Sequence, residues 1–298
     1  MGSMAARKTA LRTDLAVEAR EIYAGTGELS RLSGVRARDE RVRGFAVTRV
    51  EILDEAGEAA LGKPRGTYLT LALDGYVRRR SGTFEDAVQA VAGCVRPMLP
   101  REGTALVACL GNEAVTPDAL GPLAMRSLCV TRHMLRELPE AFAGFRPVAC
   151  VAPGVLGTTG IESLELVRGA AAHTQPAVIV AVDALASMSM TRLCATVQVT
   201  DAGICPGSGV GNARAAFSRE SLGVPVIAVG VPTVVDAGTL ARELTGEEPV
   251  RDDGGARMIV TPREIDVRVA DMAKVIGYGL NLALHDGMTV ADAALFLS

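Results

Sequence analysis

Four unbroken apolar runs mark the middle of the chain: TALVACLG (104–111), RPVACVAPG (146–154), PAVIVAVD (176–183) and VPVIAVGVP (224–232). Runs this short, rich in β-branched residues and closed by Gly, Pro or Asp, read as strands buried on both faces. Between them lie helix-compatible stretches, PDALGPLAMRSLCVTRHML (117–135), GIESLELVRGAAAHT (160–174) and ARAAFSRESLG (213–223). Strand alternating with helix predicts an α/β fold, a mostly parallel sheet sandwiched between helices. Upstream, residues 45–75 alternate with a period of two around a Gly/Pro turn, which predicts an N-terminal hairpin-like appendage. TVQVTDAGICPGSGVGN (196–212) adds an antiparallel strand and a glycine-rich loop, and 261–285 forms a long amphipathic helix capped by Thr261, Pro262 and Glu264. The polar stretch within 240–257 reads as a surface loop.

Composition narrows the function classes. Hydrophobic residues make up 49% of the 298 and charged residues 22%, enough for a sizeable core. The net charge of −3 is spread along the chain, which argues against nucleic acid as a partner. None of the six cysteines falls in a CxxC pair, so they are expected reduced and mostly buried rather than metal-bound. His133, His173 and His285 lack ligand spacing, so neither a metal nor another cofactor is expected. No membrane-length apolar stretch and no apolar signal core are present, and a soluble, cytoplasmic protein is expected; Met1–Ser3 reads as an addition ahead of Met4.

Two acids stand at strand ends, where open α/β sheets bind their ligands: Asp118 after the first run and Asp183 closing the third. If the strands are neighbours, the carboxylates converge and share a proton, one activating water while the other protonates the substrate. Ordinary capping explains them as well. Thr116 can cap a helix with Pro117 and Asp118 in its first turn, and Asp183 can cap the next helix.

Seven blocks in register weigh against coincidence: RTDLAVEA (12–19), GNEAVTPDALGP (111–122), VTRHML (130–135), RPVACVAPGVLGTTGIES (146–163), VDALAS (182–187), PGSGVGN (206–212) and GVPVIAVGVPTVVDAGT (223–239), with VTPREID (260–266) beyond. Together they closely resemble the germination proteases, spore endopeptidases that degrade small acid-soluble spore proteins. The resemblance implies an α/β fold related to hydrogenase-maturation endopeptidases, a metal-independent aspartic-type mechanism on Asp118 and Asp183, and a homo-oligomer, a tetramer in the family. It also implies a self-processing zymogen in the cytoplasm of the forespore or spore core. On that reading residues 4–14 are a propeptide, 15–298 the peptidase domain, and the processed bond is Asp14–Leu15, whose acid–apolar–Ala pattern matches the family's substrates.

The chain departs from the family in a shorter connection between VVDAGT and VTPREID, which bears on substrate access, and in lacking an aromatic after Asn112. Gly207, Ser208 and Gly209 match neither a Walker A loop nor GxGxxG nor a GxSxG elbow. They are expected to form a tight turn near the cleft whose N–H groups hold a substrate carbonyl or carboxylate. Arg12, Arg132 and Arg146 are candidates for the substrate's acid. Two other readings stay open from sequence: a non-catalytic binding protein on the same fold, and a nickel-site maturation endopeptidase.

Overall fold

The computed structural model describes residues 13–25, 33–246 and 258–298. Among the described residues nine strands form one sheet: β1 (Val35–Val42), β2 (Phe45–Ile52), β3 (Gly66–Ala72), β4 (Ala105–Cys109), β5 (Val148–Val151), β6 (Val178–Ser187), β7 (Thr196–Thr200), β8 (Val226–Asp236) and β9 (Ile259–Val260). The order is β1-β2-β3-β7-β8-β6-β4-β5, with β9 on β8. The expected apolar runs become the parallel half, β8-β6-β4-β5. An antiparallel wing, β1-β2-β3-β7, continues it, and β7 joins the halves by pairing with β8.

The helices of seven residues or more are α1 (Ala16–Gly25), α2 (Glu55–Leu61), α3 (Phe84–Val95), α4 (Ser163–Thr174), α5 (Ala237–Thr245), α6 (Ile265–Leu284) and α7 (Val290–Phe296). One face of the sheet carries Val107, Val180, Val182, Val197, Val199 and Val229 and packs on α3 and α6. Helix α6 comes close because it has glycines at the contact: a Cβ on Gly279 would stand 2.6 Å from Val91 Cγ1. Its buried Asn281 is satisfied by the Cys129 N–H and the Ser127 carbonyl, each at 2.8 Å. On the other face, α4 covers Leu106, Ala108, Ile179 and Ala181. Helix α1 lies against the wing with Val50, Ile52 and Tyr68. The gap between α4 and α1, above the carboxyl ends of β4 and β6, is where the site forms.

Several local expectations give way to tertiary contacts. The 45–75 segment holds two antiparallel strands, but α2 joins them, with Asp54 accepting from Gly57 N–H at its start and Gly62 left-handed at its end. Charged β1 (VRARDERV) extends the wing; its polarity hid it, because an edge strand needs only one half-buried face. The helix expected over 117–135 is broken into a 3-10 turn at Thr116–Asp118 and two short helices, Leu120–Met125 and Met134–Glu137. In 213–223 only Arg219–Leu222 is helical, because Phe217 exchanges main-chain hydrogen bonds with Ile204 and is buried. Glu264 stands at the N-cap of α6 as expected but makes no side-chain cap bond, and the Thr261 hydroxyl donates to the Thr233 carbonyl instead. Of the expected 240–257 loop, 240–245 belongs to α5 and 247–257 lies outside the described residues. All six cysteines are free thiols, four of them buried. Among the described residues no helix is long and apolar enough to cross a membrane.

Candidate active site

Strand β6 runs four residues past Asp183, so this acid is not a helix cap. Val178, Val180 and Val182 face α3 and α6, while Ile179 and Ala181 face α4. By the same alternation Asp183 points to the α4 side, at the gap. Asp118 reaches that gap from β4. Leu110 N–H bonds the Val182 carbonyl, and the chain then turns at Gly111 (φ +113°). The Asn112 N–H points back at both the Asp118 carbonyl (3.0 Å) and its carboxylate Oδ2 (2.9 Å). A Cβ on Gly111 would sit 2.0 Å from the Asp118 carbonyl oxygen, so only glycine allows this closure. Asp118 is the first-turn acid of a one-turn 3-10 segment, Thr116–Asp118, with Pro117 near its start as expected; Thr116 lies inside the segment, and no side chain caps it.

Both acids line one pocket of about 580 Å³. Asp14 lines it too. Burial, followed by the nearby carboxylates of Asp118 and Asp14, pushes the Asp183 carboxyl well above the ordinary range, and the Ala184 N–H opposes this only weakly. Burial also raises Asp118, against the pull of the Asn112 N–H. Asp183, 4% exposed and facing two other acids, therefore keeps its proton to higher pH than Asp118 does. A pair of carboxyls driven apart in this way can supply one acid and one base.

The segment around Asp14 is held like an added strand. Its N–H donates to the Ala186 carbonyl (3.1 Å), and its carboxylate accepts from the Ala186 N–H (2.8 Å) and the Ser208 hydroxyl (2.7 Å). A Cβ on Gly209 would come within 2.2 Å of Asp14 Oδ2. The Asp14 carboxylate is held by the Ser208 hydroxyl, rather than by the loop N–H groups that the sequence suggested, in the room left at Gly209; left-handed Gly207 makes the turn. Lys63 Nζ donates to the Thr13 carbonyl (2.8 Å); burial lowers its pKa, while Asp14 and Glu18 favour its charge. Leu15 is fully buried with Val17, Leu185 and Ile204, and Ala16 is fully buried at the start of α1.

Several contributors were not read from sequence. Gln198 of β7 donates from Nε2 to the Asp14 carbonyl (2.9 Å) and accepts at Oε1 from the Ala16 N–H (2.8 Å). Its only sequence signal is one long polar side chain in the alternation Thr196, Gln198, Thr200. Glu18, 2% exposed, accepts from the Ser187 hydroxyl (2.6 Å), the Met188 N–H (2.7 Å), Arg192 Nη1 (3.0 Å) and the Thr13 hydroxyl. It pins α1 to the end of β6. Asp14 spends its side chain on the Ala186 N–H and the Ser208 hydroxyl, and the Thr13 hydroxyl accepts from the Leu15 N–H. Arg146 donates to the carbonyls of Pro100, Glu102 and Gly103, away from the pocket, and Arg12 lies outside the described residues. His285 is buried beside the Cys129 carbonyl and Phe145.

Comparison with known proteins follows the same residues. The family model described as germination protease matches residues 14–246. A germination protease of Caldanaerobacter subterraneus subsp. tengcongensis is 41% identical, covering 94% of this chain and 95% of that protein. One from Clostridium perfringens is 39% identical, covering 97% and 99%, and one from Geobacillus sp. is 35% identical over 93% and 94%. Among solved structures, a [NiFe] hydrogenase maturation protease HycI from Thermococcus kodakarensis KOD1 is similar at 17% identity and a TM-score of 0.36, covering 62% of this chain and 97% of that one.

Proposed function

The chain belongs to the germination protease family, and from that premise we propose that it is a self-processing aspartic-type endopeptidase that cuts its own Asp14–Leu15 bond and then small acid-soluble spore proteins at acid–apolar–Ala sites. The observation that carries this reading is the position of Asp14. The residue on the amino side of the proposed bond lies in one pocket with Asp118 and Asp183, its main chain bonded to the edge of β6. Residues 4–14 are then the propeptide and 15–298 the mature enzyme. Leu15 in its apolar cluster and Ala16 in its tight one supply the match to the apolar–Ala half of the site.

In the mechanism, ionised Asp118 takes a proton from water as the water oxygen attacks the Asp14 carbonyl carbon. Protonated Asp183 gives its proton to the Leu15 nitrogen as the C–N bond breaks. The proton on Asp118 then passes back to Asp183, which restores the pair. No side chain becomes covalently attached and no metal enters the step. The family's homo-oligomeric state and spore-core location belong to the same proposal. Incubation of the full chain followed by intact-mass analysis tests it: the product should begin at Leu15, and Asp118→Asn and Asp183→Asn should each abolish its appearance. A parent chain that stays uncut, with spore proteins added and also uncut, would favour a binding protein on this fold.

A further inference from the structure

The aspartate pair accounts for a base and an acid but leaves the carbonyl oxygen, where negative charge grows as water attacks, without a partner. The sheet supplies one. Gln198 of β7 pairs with Gly230 of β8, and Gly230 pairs in turn with Asp183 of β6. The three residues form one row across adjacent strands, and residues in such a row share a face of the sheet. Val197, Val199, Val229 and Val182 take the opposite face, which fixes the direction. With strands about 4.8 Å apart, Gln198 and Asp183 rise roughly 10 Å from one another. Gly230 between them has no side chain, and a Cβ there would stand 2.6 Å from Leu185 Cγ.

The Asp14–Leu15 peptide lies against this row. Gln198 is 5% exposed, and its carboxamide grips both sides of the bond, Nε2 on the Asp14 carbonyl oxygen at 2.9 Å and Oε1 on the Ala16 N–H at 2.8 Å. The orientation of the amide is not free. A backbone N–H only donates and a carbonyl only accepts, so the Ala16 N–H holds the oxygen end and turns the NH₂ end to the bond. Meanwhile the Asp14 N–H and carboxylate are bonded to Ala186 on the Asp183 side.

We propose that Gln198 is a further catalytic residue, the hydrogen-bond donor that stabilises the oxyanion formed on the carbonyl of the residue before the cut, in the chain's own processing and in substrate cleavage alike. The proposal rests on the reading of Asp14–Leu15 as the processed bond. When the carbonyl carbon becomes tetrahedral, its oxygen takes up the electron pair of the C=O bond, and the Nε2–H already aimed at it strengthens at no cost in reorganisation. Collapse returns that pair to carbon–oxygen as the Leu15 nitrogen leaves with the proton from Asp183. The second bond, to the N–H two residues beyond the cut, gives the enzyme a main-chain register for any acid–apolar–Ala segment, whatever lies further along.

The test compares the parent with Gln198→Glu, which keeps an acceptor for the Ala16 N–H but presents a carboxylate to the oxyanion, and with Gln198→Met, which keeps the volume alone. Processing at Leu15 is followed by mass spectrometry, and kcat and KM are measured on an acid–Leu–Ala peptide. The expected result is a fall in kcat of about 10²- to 10³-fold for Gln198→Glu with KM within threefold. A raised KM with kcat unchanged, or both unchanged, overturns the proposal. A parallel experiment needs no variant. A peptide N-methylated at that alanine should lose at least tenfold in kcat/KM with the parent enzyme, while methylation one residue further costs little; equal turnover of the two contradicts the grip on Ala16. Asp183→Asn separates this idea from its premise. If that variant still processes itself, the aspartate reading fails, whereas normal processing by Gln198→Glu beside an inert Asp183→Asn sinks the role of Gln198 alone.

Discussion

Replacing Gly209 by alanine is a one-carbon perturbation aimed at the acid's cradle. Gly209 lies within the right-handed 3-10 turn Ser208–Val210, so alanine is not strained by the backbone there. The added Cβ would meet Asp14 Oδ2 at 2.2 Å and Ala186 Cβ at 2.6 Å, both inside the closest approach of real atoms. Ala186 is locked in β6, so the turn carrying residue 209 must shift off it, and the carboxylate must leave as well. It then forfeits the Ala186 N–H at 2.8 Å and the Ser208 hydroxyl at 2.7 Å. Hydrogen bonds to a charged group are worth about 1.5–3 kcal/mol each. Taking the lower value for both gives about 3 kcal/mol, or roughly 10²-fold in the fraction of chains with the bond correctly placed. The assay is a time course of the Leu15 N-terminus by intact mass, with thermal melting to show that the fold persists. Ser208→Ala, which removes one of the two donors, should slow processing by about tenfold. Processing by Gly209→Ala within threefold of the parent, at an unchanged melting temperature, would show that the acid is not held there when the bond is cut.

Three other outcomes follow from the same geometry. The raised Asp183 pKa means that the folded protein binds this proton more tightly than the unfolded chain, so the stability it contributes is complete below the ordinary carboxylate value of 3.8 and is lost as pH rises through the folded value. Asp183→Asn should therefore be more stable than the parent at neutral pH in denaturant titration, with the gain shrinking toward pH 4; a variant less stable at pH 7 would contradict this. Glu18→Gln keeps the shape but turns an NH₂ toward groups that donate and uncouples Arg192. It should cost about 3 kcal/mol and speed hydrogen exchange in residues 16–22, and a loss below about 0.5 kcal/mol would refute the anchoring role. Gly111→Ala, strained at φ +113° and 2.0 Å from the Asp118 carbonyl, should abolish processing and lower the melting temperature by several degrees.

The parallel half of the sheet was legible because strands buried on both faces are apolar throughout, and β-branched content with closing Gly, Pro or Asp set these runs apart from buried helix. Asp118 and Asp183 were legible as strand-end acids, but local sequence gave capping an equal claim. What separated the readings was tertiary: β6 continues beyond Asp183, and the Gly111 turn carries Asp118 back to it. Strand β1 and the linker helix α2 went unseen because a half-exposed edge strand and a seven-residue helix leave little periodic signal. Gln198, Glu18 and Lys63 were hidden for another reason. Each acts through partners far away in the chain, such as Asp14 for Gln198 and Ser187 for Glu18, and nothing in the residues around them marks those contacts.

The proposed chemistry rests on Asp118 and Asp183 together cutting the bond beside Asp14. The most direct measurement is the N-terminal mass of the parent, Asp118→Asn and Asp183→Asn after identical incubation. A chain beginning at Leu15 is expected from the parent alone; the same product from either asparagine variant would contradict the role of the pair.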